Sequence, residues 1–454
     1  MTAVAERFDA VVLGAGPAGG AIALELAAGG MNVALCEREL LGGECPYWAC
    51  MPSKALLRPP EARAEARRAP GLGEPAQEFA PIAAHRDRVI SNLDDSKKAS
   101  AYAKRDIEVI RGEARVPEPR RVEAAGRELD AERVVVATGT RTAVPPIDGL
   151  EEAGYWTNRE ATTFSEVPDS VVVLGGGPVG VELAQALRRF GATVTLTEAA
   201  DTLLSREDPR VGELAARALA EDGVDVRTGA TAVGVKRGDD GLRTVRLDDG
   251  AGVSAAELLV AIGRDPRTRE LGLEHLGVEL GEDGEVLVDY RCRAAEGVWA
   301  VGDVTGILAF THAGSYQARV ASADILGNDV TADYSAIPRV AFTDPEVAAV
   351  GLSAGEAREQ GIDIAVSRLD LASSIARPIT YEEDPRDQEL EVVADRERGV
   401  LVGAWAVAPL AGEFIHQAAM AIKLRATIDV LRDTVSQFPT FSEGFSEAVR
   451  KLEL

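Results

Sequence analysis

"FDAVVLGAGPAGGAIALELAAGGMNVALCE", residues 8–37, carries the strongest structural signal in the chain. It reads as an apolar strand, a glycine turn, an alanine-rich helix and a second apolar strand that ends in Glu37, an order that predicts a βαβ unit. In the turn, Gly14 permits a tight bend, Gly16 lets the backbone approach a pyrophosphate, and Gly19 lets helix and strand pack closely. The helix N-terminus would then face the phosphates, and Glu37 would accept the ribose hydroxyls.

The same pattern returns as "SVVVLGGGPVGVELAQALRRFGATVTLTE", residues 170–198. Its glycines are Gly175, Gly177 and Gly180, and its second strand again ends close to an acidic residue, Glu198. One such glycine fingerprint is a weak signal, but two complete copies predict two dinucleotide sites. A tightly held FAD and an exchanging NAD are the usual combination.

Glu198 also bears on the choice of nicotinamide cofactor. A carboxylate suits a free ribose 2′-hydroxyl and repels a 2′-phosphate, so NADH is favoured over NADPH. Arg188 and Arg189, on the preceding predicted helix, are the residues that could oppose this preference.

Length and composition predict several domains and a small-molecule partner. The chain has 454 residues, 46% of them hydrophobic, which predicts two to four domains. A formal net charge of −25 argues against binding nucleic acid or an anionic membrane. Neither a secretory signal nor an apolar run of about 18 residues stands out, so we expect a soluble, cytoplasmic protein.

"GGECPYWACMPSK", residues 42–54, contains two of the four cysteines, Cys45 and Cys50. The pair could bind a metal, form a structural disulfide, or be made and broken in a reaction. So few cysteines do not form a secreted disulfide framework, and no second close Cys or His pair completes a metal site. We therefore predict no metal. The other two cysteines, Cys36 and Cys292, are expected in buried strands, and residues 61–68 in a solvated helix face.

Taken together, several motifs resemble the pyridine nucleotide-disulfide oxidoreductases, over nearly the whole chain and in the family's order. The motifs are "GAGPAG" (14–19), "GGECPYWACMPSK" (42–54), "ATG" (137–139), "GGGPVGVELA" (175–184), "AIGRDP" (261–266), "VWAVGDVTG" (298–306) and "FTDPEVAAVG" (342–351).

The resemblance implies an α/β fold with two Rossmann-like dinucleotide-binding domains and a C-terminal α+β dimerisation domain. The FAD domain would comprise residues 1–150 and 271–335, the NAD domain residues 151–270, and the dimerisation domain residues 336–454. It also implies a homodimer acting on a small-molecule substrate.

Site residues follow from the same resemblance. Gly302 and Asp303 would hold the ribityl and pyrophosphate region of FAD, and Thr138 and Gly139 would lie against it. Lys54 would sit near flavin N5, paired with Glu182. Further cofactor-binding residues are expected at Gly43, Ala114, Gly263 and Arg264.

The implied reaction cycle passes a hydride from NADH to the flavin and then two electrons into a Cys45–Cys50 disulfide. Cys50 would be the flavin-facing thiolate that forms a charge-transfer contact, and Cys45 the outer thiol that meets the substrate. A helix N-terminus after the pair, together with Lys54, would favour the thiolate form.

One departure from the family concerns the residue that moves protons. Disulfide-reducing members end in His-Pro-Thr, with a Glu five residues after the His, supplied by the partner subunit. This chain reads "SQFPTFSE" (436–443), so Phe438 replaces the His while Glu443 remains. A general acid or base is worth about 10²- to 10⁴-fold in rate, so we expect poor reduction of common disulfides. Tyr47 and Trp48 further suggest an unusual apolar substrate pocket.

These observations predict an FAD-dependent NADH oxidoreductase with a redox-active Cys45–Cys50 pair and a non-standard acceptor. Three alternatives remain. They are direct reduction of quinones by the flavin, carbanion-forming cleavage of a thioether ketone, and a non-catalytic redox-sensing flavoprotein. Mercuric reductases also lack the His, but their C-terminal cysteine pair is missing from "AVRKLEL" (448–454).

Overall fold

In the computed structural model, which describes residues 5–454, the chain forms 24 strands, 17 α-helices and three 3-10 helices. The strands are β1 Glu6–Phe8, β2 Ala10–Leu13, β3 Val33–Glu37, β4 Glu108–Arg111, β5 Ala114–Glu118, β6 Arg121–Ala124, β7 Arg127–Ala131, β8 Val134–Val136, β9 Thr140–Thr142, β10 Ser170–Leu174, β11 Thr193–Thr197, β12 Asp225–Arg227, β13 Ala232–Arg237, β14 Arg243–Leu247, β15 Gly252–Ala255, β16 Glu257–Val260, β17 Arg264–Pro266, β18 Arg293–Ala295, β19 Val298–Ala300, β20 Arg339–Ala341, β21 Glu346–Gly351, β22 Ile364–Asp370, β23 Glu389–Asp395 and β24 Val400–Ala408.

The α-helices are α1 Pro17–Ala28, α2 Glu44–Trp48, α3 Cys50–Arg68, α4 Phe79–Val89, α5 Ser96–Ala103, α6 Leu150–Ala153, α7 Glu160–Thr163, α8 Pro178–Phe190, α9 Pro209–Glu221, α10 Thr311–Ile325, α11 Ala354–Glu359, α12 Leu371–Ser374, α13 Arg377–Tyr381, α14 Ala411–Phe414, α15 His416–Leu424, α16 Ile428–Asp433 and α17 Ser442–Arg450. Across residues 5–454, no helix has both the length and the apolar character needed to cross a membrane.

The chain divides into two compact units, each made of three segments. The first contains the residues up to Pro52, His85–Ala143 and Arg264–Asp333. The second contains Ser53–Ala84, Val144–Gly263 and Tyr334–Leu454. The first four residues of the predicted 1–150 segment lie outside the described residues.

The first unit is built on a six-stranded sheet in the order β18-β19-β8-β2-β3-β4. From β19 to β4 all pairings are parallel, and α1 connects β2 to β3 as predicted for the first βαβ unit. All four residues of β2 and all five of β3 are buried, which explains why these strands are continuous apolar runs. A four-stranded sheet, β1-β7-β6-β5, and the β17-β9 pair complete the unit.

The second unit contains the second βαβ repeat in a parallel sheet of order β12-β11-β10-β16, with α8 between β10 and β11. A three-stranded antiparallel sheet, β13-β14-β15, accompanies it. Its last segment forms a five-stranded antiparallel sheet, β20-β21-β24-β23-β22, and helices α14, α15 and α17 pack on these strands. The predicted fold class, two Rossmann-like parts and a C-terminal α+β part, is confirmed.

Both cysteines outside the pair are buried. Cys36 lies in β3, and burial raises the pKa of its thiol to about 12. Cys292 is fully buried too, but the expectation of a strand was wrong. It lies in a turn, with φ +61°, where its N–H donates to Asp289 O.

A network of buried charges joins the three segments of the second unit. Asp344 accepts hydrogen bonds from Arg68 at 2.9 and 3.0 Å and from Arg189 at 2.7 Å. Asp222 accepts from Arg189 and from Arg386 at 2.7 Å. Burial acts to raise the pKa of Asp344, but the guanidinium groups of Arg189 and Arg68 outweigh it and lower that pKa. Residues 61–68 are therefore not a wholly solvated face, because Arg68 turns inward.

Glu346, at the start of β21, has a largely buried carboxyl group, and a single backbone hydrogen bond offsets only part of the cost of ionising it there. Its Oε2 accepts the N–H of Gly412 at 2.8 Å, whereas the acidic groups of Glu61, Glu413 and Asp344 oppose its ionisation. Burial is the largest effect, and together these influences raise the pKa of Glu346 to about 7.

We predict that Glu346 makes the folded state less stable as pH rises from the ordinary carboxyl range through about 7. Over that range the folded carboxyl keeps a proton that the unfolded one has lost, so ionisation favours unfolding. Glu346→Gln removes this dependence and should stabilise the protein above pH 7 by about 2–3 kcal/mol. Unfolding would be followed across a pH series, with the exposed Glu274→Gln as control. Equal pH slopes for wild type and Glu346→Gln would contradict the prediction.

Candidate active site

The first glycine turn combines tight backbone packing with one open position. Gly14 has φ +100°, and a Cβ there would lie 2.4 Å from Ala137 O. A Cβ on Gly19 would lie 1.9 Å from Gly14 O, so both positions exclude a side chain. A Cβ on Gly16 would meet nothing within 4 Å. Gly16 therefore borders open space beside the N-terminus of α1, where the sequence motif predicts a pyrophosphate.

Glu37 fixes the far side of this turn. It ends β3, is nearly buried, and accepts hydrogen bonds from the N–H groups of Ala15 and Glu39, both at 2.8 Å. The carboxylate is thus held next to the glycine turn, at the position expected for a ribose-binding acid.

The second glycine turn repeats this geometry residue by residue. Gly175 has φ +108°, and a Cβ there would lie 2.4 Å from Ala261 O. A Cβ on Gly180 would lie 1.9 Å from Gly175 O, and one on Gly177 would meet nothing within 4 Å. Each compact unit therefore contains one complete dinucleotide cradle.

Glu198 occupies the same place in the second cradle as Glu37 in the first. Its two oxygens accept the N–H groups of Gly176 at 2.6 Å and of Ala200 at 2.8 Å. Arg188 donates to Gly223 O at 3.0 Å, and Arg189 belongs to the buried charge network. Both arginines are therefore already engaged inside the unit.

The cysteine pair lies where one helix breaks and the next begins. Cys45 is in α2, which ends at Trp48; Ala49, with φ −131° and ψ −98°, interrupts the helix, and Cys50 starts α3. Gly43, with φ +64°, precedes α2 and packs against Gly16, since a Cβ on it would lie 2.9 Å from Gly16 Cα. The start of the cysteine segment therefore adjoins the first cradle.

The two thiols influence each other's ionisation, and one of them contacts a hydroxyl. Cys45 and Cys50 share a hydrogen bond, and Cys50 Sγ lies 3.6 Å from Thr311 Oγ1. The hydrogen bond with Cys50 and then burial raise the pKa of Cys45, while a hydrogen bond from Thr311 acts to lower it. Because a Cys50 thiolate opposes ionisation of Cys45, the pair shares one negative charge more readily than it carries two.

Lys54 follows one turn after Cys50 in α3. Its Nζ donates to Glu182 Oε2 at 2.6 Å and lies 4.6 Å from the centre of the Phe342 ring. Glu182, in α8, is almost fully buried, and its other oxygen accepts the Phe342 N–H at 2.9 Å. The ammonium group is therefore held by a carboxylate and an aromatic face.

Asp303 ends a chain of hydrogen bonds in the first unit. Arg264 Nε donates to Thr140 Oγ1 at 2.9 Å, and Thr140 donates to Asp303 Oδ2 at 3.2 Å. Burial nevertheless raises the pKa of Asp303, although the charge of Arg264 opposes the rise. The neighbouring Gly302 N–H donates to Gln317 Oε1 at 2.7 Å, which ties this turn to α10.

The other predicted cofactor residues lie at turns and strand ends. Thr138 donates to Arg267 O at 2.7 Å, and Gly139 has φ +66°. Ala114 begins β5, where it pairs with Ala124, and Gly263 has φ +150° with open space where a Cβ would lie.

The aromatic residues between the cysteines do not act together. Tyr47 is 2% exposed and donates to Leu41 O at 3.1 Å, so it packs inside the unit. Only Trp48 remains partly exposed. Of the two aromatic residues, Trp48 is therefore the one placed to contact a substrate, and an apolar substrate pocket stays a prediction.

Phe438 and Glu443 lie at the start of the last helix. Phe438, just before α17, is 73% exposed in the single chain. Glu443, in the first turn of α17, has a buried Oε2 without a hydrogen-bond partner among the described residues. The carboxylate therefore still offers an acceptor near the position where the family has a histidine.

These residues fit two dinucleotides. The open positions at Gly16 and Gly177, the clamped acids Glu37 and Glu198, and the buried Asp303 carboxyl suit pyrophosphate and hydroxyl groups. No cluster of His, Cys, Asp and Glu among residues 5–454 is arranged to hold a metal ion.

Sequence reasoning missed three contacting residues. Thr311 contacts the sulfur of Cys50, Thr140 links Arg264 to Asp303, and Phe342 faces Lys54. Phe342 opens the motif "FTDPEVAAVG" and Thr140 directly follows "ATG", so both adjoin known signals. Thr311 had none, because its contact depends on how α10 meets the cysteine segment.

Two family models cover most of the chain. A model described as pyridine nucleotide-disulphide oxidoreductase matches residues 8–318, and one described as the dimerisation domain of those enzymes matches residues 337–449. The second match indicates that the chain forms a homodimer.

Individual proteins show the same likeness. The chain is 35% identical to dihydrolipoyl dehydrogenase from Thermus scotoductus, over 98% of either chain. It is 32% identical to mercuric reductase from Bacillus cereus, over 97% of this chain and 71% of that protein. Among solved structures, the Cu(II) complex of the HOCl-induced flavoprotein disulfide reductase RclA from Escherichia coli matches with a TM-score of 0.87. The two sequences are 28% identical, and the match covers 98% of this chain and 99% of the RclA chain.

Gly16→Ala should separate folding from cofactor binding. Its Cβ would meet no protein atom, so the fold should be unchanged, but the methyl group would enter the space beside α1. We expect FAD binding to weaken about tenfold or more, equivalent to about 1.4 kcal/mol. The FAD content and dissociation constant of the purified protein would be measured, with the exposed Gly73→Ala as control. Normal FAD affinity in a folded Gly16→Ala protein would contradict this placement.

Proposed function

Because the chain belongs to the pyridine nucleotide-disulphide oxidoreductases, we propose that it uses NADH to reduce a Cys45–Cys50 disulfide. The resulting dithiol then reduces an acceptor other than the common disulfides. FAD would supply the group that takes the hydride of NADH and delivers its two electrons to the cysteines. The observation that carries the proposal is that Cys45 and Cys50 lie on the two sides of the break between α2 and α3, where a hydrogen bond with Cys50 raises the pKa of Cys45.

The protein residues would hold the reactants and the protons. The two cradles bind the pyrophosphates, and the charges of Glu37 and Glu198 meet ribose hydroxyls. Lys54, held by Glu182, keeps a positive charge one turn after Cys50. Cys45, whose pKa is raised, would remain a thiol when Cys50 is charged.

The protons that each kind of acceptor requires support a non-standard acceptor. Reduction of a disulfide releases a thiolate that must take up a proton, and Phe438 has none to give. A metal ion such as Cu(II) instead takes one electron, so two ions oxidise the dithiol to the disulfide while two protons leave. One relative described above is a mercuric reductase, and the solved structure described above is a Cu(II) complex. We therefore propose that the acceptor requires no proton from residue 438.

Cys50→Ser tests the role of the pair. NADH oxidation would be measured with lipoamide, glutathione disulfide, a quinone, Cu(II) and Hg(II) as electron acceptors. We expect Cys50→Ser to lose nearly all turnover with the best acceptor while retaining FAD. Cys292→Ala, which changes a buried cysteine outside the pair, should keep the wild-type turnover. Full turnover by Cys50→Ser would overturn the proposal and favour direct reduction of the acceptor by the flavin. If the wild-type protein bound FAD but failed to oxidise NADH with each of these acceptors, the result would favour a redox-sensing role.

Phe438→His tests the missing proton shuttle. The buried, unpartnered Oε2 of Glu443 would orient the new imidazole, so turnover with lipoamide or glutathione disulfide should rise at least tenfold. Phe438→Leu, which supplies no proton, should give no gain. Rates would be compared at equal FAD occupancy in the dimer. Absence of any gain in an intact dimer would show that Phe438 fills space and does not limit proton supply.

The nicotinamide preference rests on Glu198. Its carboxylate is fixed beside the second glycine turn and would repel a 2′-phosphate, so kcat/KM should be higher for NADH than for NADPH. Glu198→Ala should reduce this ratio about tenfold, with FAD content unchanged. A wild-type preference for NADPH would contradict the proposal.

A further inference from the structure

Thr311 brings a hydroxyl into contact with the sulfur of Cys50, one member of the cysteine pair. Its Oγ1 lies 3.6 Å from Cys50 Sγ, within the range of a hydrogen bond to sulfur. A hydrogen bond from Thr311 also acts to lower the pKa of Cys45. All three residues belong to the first compact unit. The contact therefore places a hydroxyl that can donate a hydrogen bond beside the sulfur of Cys50.

The position of Thr311 in α10 suits an interaction with negative charge. It is the first residue of a 15-residue helix, preceded by Phe310 in extended conformation. The N–H groups of the first helical turn have no partners within the helix, and the helix dipole is positive at this end. The Thr311 hydroxyl adds a donor that can rotate toward either sulfur.

Three side chains near the pair or Thr311 in the sequence have contacts of their own. Glu44, next to Cys45 in α2, is acidic and faces Arg267 at 3.7 Å. Lys54 is paired with Glu182, and His312, next to Thr311, stacks on Phe310 with ring centres 5.3 Å apart. With Phe438 in place of the family histidine, the Thr311 hydroxyl is a side-chain group that already lies against Cys50 Sγ, and the backbone N–H of Cys50 also acts to lower the pKa of Cys45.

We propose that Thr311 is a catalytic residue that donates a hydrogen bond to whichever sulfur of the reduced pair is charged, and so maintains a reactive thiolate without a histidine. The inference rests on the proposed function, in that Cys45 and Cys50 are taken as the redox pair. The direction of the Thr311 effect on the Cys45 pKa, which is downward, agrees with it. Thr311 itself is neither oxidised nor deprotonated in this role.

Thiol alkylation tests the inference without depending on turnover. The FAD-loaded dimer would be reduced with NADH and treated with iodoacetamide across a pH series, and modification of Cys45 and Cys50 would be quantified by peptide mass spectrometry. Thr311→Val keeps the shape of the side chain and removes the donor. We expect it to raise the pH of half-maximal alkylation by about one unit and to slow alkylation about tenfold at neutral pH.

Thr311→Ser is the decisive comparison, because it restores a hydroxyl and should restore the wild-type profile. Thr244→Val, which removes a hydroxyl that bonds Ser254 in the other compact unit, serves as the matched control. An unchanged profile in Thr311→Val, or equal shifts in the Val and Ser variants, would overturn the inference. If Thr311→Val does not retain FAD, Thr311→Ala replaces it in the same comparison.

The two proposals fail in different ways. Full turnover by Cys50→Ser would overturn the proposed function and leave the alkylation comparison valid. A flat alkylation comparison, with turnover still dependent on Cys50, would overturn the role of Thr311 alone. Alkylation of Cys50 in a Cys45→Ser background shows whether the effect acts on that sulfur.

Discussion

Close contact between a glycine turn and the end of a neighbouring strand is the constraint on which both dinucleotide cradles depend. In each compact unit the first glycine packs on a backbone carbonyl, Ala137 O in one and Ala261 O in the other, at a distance that leaves no room for a Cβ. The third glycine then packs on the first. These contacts fix the positions of the middle glycine and of the acid that binds the turn. Open space remains beside the middle glycine, where the pyrophosphate of a dinucleotide would lie.

The cysteine segment depends on the first of these cradles. Gly43 packs on Gly16, so the position of α2 follows from that of the glycine turn. The break at Ala49 then lets two cysteines five positions apart contact each other, although an uninterrupted helix would place them on different faces. The approach of the two cysteines is therefore a consequence of backbone geometry as much as of the residue types.

The sequence predicted those parts of the site in which a residue type is demanded by the backbone or by a motif. The six glycines of the two turns, Glu37, Glu198 and the cysteine pair are of this kind, and the fold class followed from the two βαβ patterns. The interior direction of Tyr47, the inward turn of Arg68 and the contact of Thr311 were not predictable in this way. Each depends on which distant segment packs opposite, and local periodicity holds no information about that.

The buried charge network has a further consequence for how the second unit opens. The network draws on all three chain segments of the unit: Arg68 comes from the first, Arg189 and Asp222 from the second, and Asp344 and Arg386 from the third. Arg68 and Arg189 both bind the carboxylate of Asp344, and Arg189 and Arg386 both bind that of Asp222. Withdrawing one segment would leave a buried charge without its counter-ion, at a cost of about 3–5 kcal/mol. We therefore expect the three segments to open as one cooperative unit, with their amide hydrogens exchanging through a shared opening and not segment by segment.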